Sequence, residues 1–162
     1  MSGISDFDFL LGHWNVSNKR LKKRLQGNDE WEVFDATQHN QRLPGGIGNF
    51  DDYIAGAWRP GFVGMTLRLF NPQTACWSIY WLDNVTGGVD AMGLMLPPVV
   101  GKFSDGVGIF EGDDVQDGRP IRVRYTWRGT ATGSPQWEQA MSDDQGANWE
   151  LNWRMCFTRI PS

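Results

Sequence analysis

The chain is poor in the residues that announce metal or redox chemistry. It has two Cys and two His in 162 residues. Neither His13 nor His39 belongs to an H-x-E-x-H or Cys-rich spacing, so the usual zinc and iron ligand sets are excluded and no metal or cofactor is expected. Cys76 and Cys156 lie in different predicted strands and read as reduced thiols rather than a disulfide. Positive charge is also scarce. A net charge of −4 and a pI of about 5.1 give no general field for phosphate backbones, which argues against nucleic acid as a partner. No apolar run approaches the ~20 residues of a membrane-spanning helix, and Met1 to Phe9 lacks a basic stretch followed by a long apolar one. A cytoplasmic protein with no membrane partner is expected. Asn15-Val16-Ser17 and Asn84-Val85-Thr86 then have no meaning as glycosylation acceptors. There is no P-loop and no G-x-S-x-G elbow, and Gly45-Gly46-Ile47-Gly48 lies between strands, where it reads as hairpin geometry.

What the chain does have is aromatic residues and glycine. Nine Trp, nine Phe, three Tyr and twenty Gly accompany a hydrophobic fraction of 40%. Turn signals recur at Gly27-Asn28-Asp29, Pro44-Gly45-Gly46, Asn71-Pro72, Thr86-Gly87-Gly88, Asp105-Gly106, Asp117-Gly118 and Gly133-Ser134-Pro135. The segments between them are rich in Val, Ile, Thr and aromatics, which is strand composition. Ile121, Val123, Tyr125 and Trp127 alternate with Arg122, Arg124, Thr126 and Arg128. Trp149, Leu151, Trp153, Met155 and Phe157 alternate with Glu150, Asn152 and Arg154. Sustained helical periodicity is absent apart from one short turn over Ser5–Leu11, opened by Ser5 and Asp8 as a capping-box-like pair. The reading is one all-β domain over residues 1–162. About ten antiparallel strands form an up-and-down barrel, because closure removes exposed edges, with a two-sheet sandwich as the alternative. Leu21 and Leu25 fall on the opposite parity to Trp14 and Val16, which predicts a bulge or bend near Asn18–Arg20.

Gly12-His13-Trp14, placed after a brief helical turn and opening the first strand, resembles the calycin superfamily of lipocalins and fatty-acid-binding-type barrels. That resemblance implies a Trp at the closed end packed against a basic side chain of the last strand. Arg159 is the preferred partner because it shares its strand's apolar parity, and Arg154 is the alternative. Phe9-Leu10-Leu11-Gly12-His13-Trp14, Gly46-Ile47-Gly48-Asn49, Thr66-Leu67-Arg68-Leu69-Phe70 and Trp149-Glu150-Leu151-Asn152-Trp153 together resemble an uncharacterised bacterial family of small lipocalin-like barrels. The likeness covers nearly the whole chain and brings no activity with it. A nitrobindin-like haem site would need a His late in the chain, and none follows His39. Ser142-Asp143-Asp144-Gln145-Gly146-Ala147-Asn148-Trp149 matches the Asp-box pattern. A single copy predicts a hairpin in which Asp144 accepts backbone N–H groups, Gly146 makes the bend and Trp149 anchors it.

If the apolar parity faces inward, polar residues sharing it become candidates for reading a ligand. On the second strand the set headed by Trp31 and Val33 carries Asp35, Thr37, His39 and Gln41; the other set is Glu32, Phe34, Ala36, Gln38 and Asn40. Asp35, Thr37 and His39 of the first set, with Asn49, Trp81, Tyr125, Trp127 and Gln139, make the candidate ligand-binding residues. The excess of inward-parity Trp and Phe along the strands, with only these few polar groups among them, suits a small, largely apolar or aromatic molecule. A second reading is a cofactor-free acid–base enzyme (an isomerase, cyclase or lyase) with His39 as base and Asp51 and Tyr53 as its catalytic companions. A third is an interaction protein with a packed barrel, forming a homodimer through the apolar tract Met92-Gly93-Leu94-Met95-Leu96-Pro97-Pro98, which a lid over a cavity would equally suit. Lys19-Arg20-Leu21-Lys22-Lys23-Arg24 reads as a solvated strand end protected by cations.

Overall fold

The computed structural model describes residues 2–162 as ten antiparallel strands closed into a barrel. They are β1 (Gly12–Leu21), β2 (Trp31–Arg42), β3 (Gly48–Ile54), β4 (Val63–Asn71), β5 (Cys76–Asp83), β6 (Val99–Ser104), β7 (Val107–Gln116), β8 (Arg119–Arg128), β9 (Gln136–Ser142) and β10 (Glu150–Arg159). Every strand pairs with its sequence neighbours, and β10 returns to β1 with Trp14 opposite Arg159 and Arg20 opposite Trp153. This is the up-and-down order expected from the density of turns, and closure removes the edges a sandwich would keep. Two single 3-10 turns, Asp8–Leu10 and Pro44–Gly46, and an isolated antiparallel bridge between Val89 and Met95 complete the secondary structure of the described residues. The architecture is consistent with the calycin-like barrel that the sequence resembles. Cys76 and Cys156 are free thiols.

Up-and-down order puts alternate connections at opposite ends, and the two ends differ in how they are filled. At one end the N-terminal turn folds into the barrel as a plug. The Phe7 ring meets Trp77, Phe103 and Phe110 at centroid distances of 4.9, 5.1 and 5.7 Å. Each such aromatic buries about 150–250 Å², worth roughly 4–6 kcal/mol of transfer free energy before entropy is charged against it. Trp14 donates its indole N–H to the Leu10 carbonyl at 2.7 Å. The Arg159 guanidinium lies 4.1 Å from the Trp14 ring centroid and donates to the carbonyls of Leu11 (2.7 Å) and Phe9 (2.9 Å). Arg159 is therefore the partner of Trp14, whereas Arg154 pairs with Glu138 on the outer surface. Gly12 is required here: its φ is +106° and a Cβ would stand 2.9 Å from the Arg159 guanidinium. The turn itself is not held by a capping box. The Asp8 amide donates to the Ser5 carbonyl, and the Asp6 carboxylate accepts from Ser2 and from the Gly3 amide.

Three local expectations need correction. On β2 the buried residues are Phe34, Ala36, Gln38 and Asn40, so Asp35, Thr37 and His39 face outward, as does exposed Val33. The reason lies in the register. Residues directly opposite in an antiparallel ladder share a face. Asn18 stands opposite Phe34, Val16 opposite Ala36 and Trp14 opposite Gln38, so the inward set of β1 dictates that of β2. Second, β1 runs in unbroken register to Leu21, and the irregularity sits on β10, between Leu151 and Trp153. Third, the basic run is not uniformly solvated: Lys19, Lys22 and Lys23 are exposed while Arg20 is buried and Arg24 is turned inward. The Asp-box hairpin forms as read, with the Asn148 amide donating to Asp144 at 2.9 Å and the Trp149 indole to the Gly146 carbonyl at 3.1 Å. The Met-rich tract lies on the surface, with Met92 84% exposed, and takes no part in the cavity described next.

Candidate binding cavity

Beyond the aromatic plug the other half of the barrel is not filled. A cavity of about 200 Å³ remains, reached from the end that carries the β1–β2, β3–β4 and β7–β8 connections. Its walls are aromatic because β5, β8, β9 and β10 each direct Trp or Tyr inward at alternate positions: Trp81, Tyr125, Trp127, Trp137 and Trp153. Gly64 makes this possible on the β4 side, since a Cβ there would collide with the Trp81 indole. The β3–β4 connection adds Trp58 and Phe62 over the mouth. Trp58 stacks on Phe34 at 5.1 Å with the planes 9° apart.

Every charged group lining the cavity is cationic. Arg20, Arg24 and Arg68 all line it, along with Gln38, Thr66 and Gln139. Arg68 forms the floor. It pairs with Asp51 at 2.8 Å and donates to Asn49 (2.9 Å) and Asn40 (3.3 Å). Gln38 and the Thr66 amide also donate to Asp51, at 3.0 and 3.1 Å, so that carboxylate is fully occupied. Burial pushes Asp51 up and Arg68 down, with their mutual attraction opposing both shifts. Arg20 is held between the Trp58 and Trp153 rings, 5.0 and 5.1 Å from their centroids, and pairs with Glu32 at 3.3 Å. Burial and the nearby charge of Arg24 bring Arg20 down to about 10, and it stays charged at neutral pH. The Nε atoms of Arg20 and Arg68 have no partner among the described residues.

The sequence-predicted site residues divide into three groups. Trp81, Tyr125, Trp127 and Gln139 line the cavity, and Tyr53 joins them. The Tyr53 hydroxyl donates to Asn18 at 2.7 Å, and burial raises its pKa. Asn49 and Asp51 point inward but belong to the Arg68 network beneath the cavity. Asp35, Thr37 and His39 lie on the outer face, where the His39 ring stacks on His13 at 3.8 Å. The cavity therefore contains no imidazole. The three arginines were not singled out by sequence reasoning. Arg20 could have been, because it shares the parity of Trp14, Val16 and Asn18. Arg24 sits in a connection, where alternation has no meaning.

No protein-family model matches the chain, and no curated protein shows significant similarity to it.

Proposed function

We propose that the barrel is a binding module for a small, largely apolar or aromatic molecule held in the half that the plug leaves open. The observation that carries this reading is a cavity of about 200 Å³ inside the barrel, walled largely by indole and phenol rings. Native interiors rarely leave such voids, and an apolar cavity of about 150 Å³ is enough to take benzene. One ring with a short substituent, or a compact pair of rings, matches the space. The calycin resemblance supports the same reading, since those barrels hold their ligands in the interior. The free thiols of Cys76 and Cys156 support a reducing, cytoplasmic setting. The acid–base enzyme is the weaker reading, because its base, His39, stands on the outer face and Asp51 and Tyr53 are engaged with Arg68 and Asn18.

Isothermal titration with indole, a neutral two-ring probe, tests the proposal. Saturable binding is expected in the parent and is lost in Thr66→Phe, which fills the cavity without touching the plug. Absence of saturable binding in the parent, or equal binding by the filled variant, would sink the reading.

A further inference from the structure

We infer that the molecule this cavity takes is an aromatic carboxylate, with its rings among the tryptophans and its anionic head on Arg24. The inference rests on the binding reading above and sharpens it by naming the charge. Its basis is an imbalance. The chain as a whole carries a net charge of −4. Yet Arg20, Arg24 and Arg68 line one cavity, and Arg59 lies over the outer side of Trp58 with its guanidinium 4.0 Å from the ring centroid. Arg20 and Arg68 each have a carboxylate partner, Glu32 and Asp51. Arg24 has none within ion-pair distance among the described residues, so one positive charge in the cavity is uncompensated at close range. Burial and, to a lesser degree, the repulsion of Arg59 pull the Arg24 pKa down, and the through-space attraction of Asp114 and Asp117 opposes this. Asp114 and Asp117 are exposed and act through solvent. A half-buried, unpaired guanidinium is costly to hold in place, and a bidentate carboxylate is the ligand its planar fork fits best.

The backbone shows that Arg24 is held there. The next residue, Leu25, has φ +58°, a left-handed conformation that a branched side chain adopts only at a cost. It is pinned from two sides: its amide donates to the Glu150 carboxylate at 2.8 Å, and its carbonyl accepts from Arg119 at 3.4 Å. The Leu25 side chain packs against the core. These contacts fold the β1–β2 connection over the open end and deliver Arg24 to the cavity. Tyr125 lines the same wall, with its ring edge-on to Trp137 at 5.0 Å, and Tyr125 and Arg24 each perturb the other's titration. Its hydroxyl is the second donor available to a bound carboxylate. Three arginines against two carboxylates leave a deficit of one charge, so a monoanion is the complement.

The test uses acid–amide pairs of nearly identical shape, 4-ethylbenzoate with 4-ethylbenzamide and 2-naphthoate with 2-naphthamide, titrated calorimetrically into the intact protein. The acids are expected to bind at least tenfold tighter than their amides. Arg24→Gln should abolish that preference, weakening the acids by at least tenfold more than the amides, and Tyr125→Phe should weaken the acids a few-fold. Amides binding as tightly as the acids, or an acid preference that survives Arg24→Gln, would overturn the charge assignment and leave the cavity reading standing. If neither member of either pair binds below millimolar concentration, the cavity reading fails and this inference fails with it.

Discussion

Both ends of this barrel place an arginine against tryptophan, and they use the pair for opposite purposes. At the plugged end Arg159 covers Trp14 and spends two of its donors on main-chain carbonyls, closing the turn against the first and last strands. At the open end Arg20 lies between Trp58 and Trp153, one Nε–H is unmatched, and empty space adjoins it. The difference is a matter of what surrounds the pair. The first has Phe7, Leu10 and the N-terminal turn packed into the barrel. The second has only loops, which cover the opening without filling it. The same local chemistry is a clamp where the neighbours are rigid and complete, and a receptive wall where they are not.

The comparison can be broken most directly at Trp14. Trp14→Ala empties the centre of the plug and is expected to cost about 3–5 kcal/mol in urea denaturation. A melting temperature within a few degrees of the parent would mean that the plug does not hold the barrel together. Arg68 lies between the two halves, with its guanidinium 5.3 Å from the Phe7 ring and its ion pair with Asp51 under the cavity. Asp51→Asn keeps the shape and removes the countercharge, for an expected loss of about 3–5 kcal/mol by the same measurement. Trp58→Ala at the mouth should cost no more than about 2 kcal/mol, because it enlarges an existing space rather than opening a new one. It should nevertheless weaken binding of indole. If Trp58→Ala were as destabilising as Trp14→Ala, the open end would be as structural as the plug.

The smallest effect belongs to the Asp-box hairpin. The Asn148 amide and the Ser142 hydroxyl hold Asp144 down to about 2, below its ordinary 3.8. Its contribution is therefore complete above about pH 4 and is lost as pH falls through about 2. The protection of the Asn148 amide, its exchange rate relative to the intrinsic rate at the same pH, should fall over that window, and in Asp144→Ala it should be lost at every pH. An Asn148 amide that stays protected in the variant would show that the turn does not need this carboxylate.

The sequence was legible wherever one strand or one turn decided the matter. Alternation in Ile121–Trp127, the Gly-x-Trp opening and the single Asp-box were each enough to place their residues. In Trp149–Phe157 alternation holds only from Trp153 onward: the irregularity between Leu151 and Trp153 buries Asn152, read as outward, and leaves Leu151 and Trp149 off the inner face, where Arg124 covers the Trp149 ring. Parity on β2 was ambiguous because buried Gln38 and Asn40 look like a wet face, while outward Val33 looks like a core residue. Nothing within β2 could distinguish them. The pairing with β1 did so, together with Arg68 and Asp51 on neighbouring strands, which supply the partners that make burial of those amides affordable.

The aromatic content, the close spacing of turns and the period of two by themselves determined an all-β chain of about ten strands with a tryptophan at one end, because these are local properties of segments only a few residues long. Which face of β2 is interior, where the core stops and a cavity begins, and the gathering of Arg20, Arg24 and Arg68 into that cavity were decided only by the tertiary structure. Each depends on which strand lies opposite which and on how a loop folds across an opening, and those are relations between residues far apart in the chain.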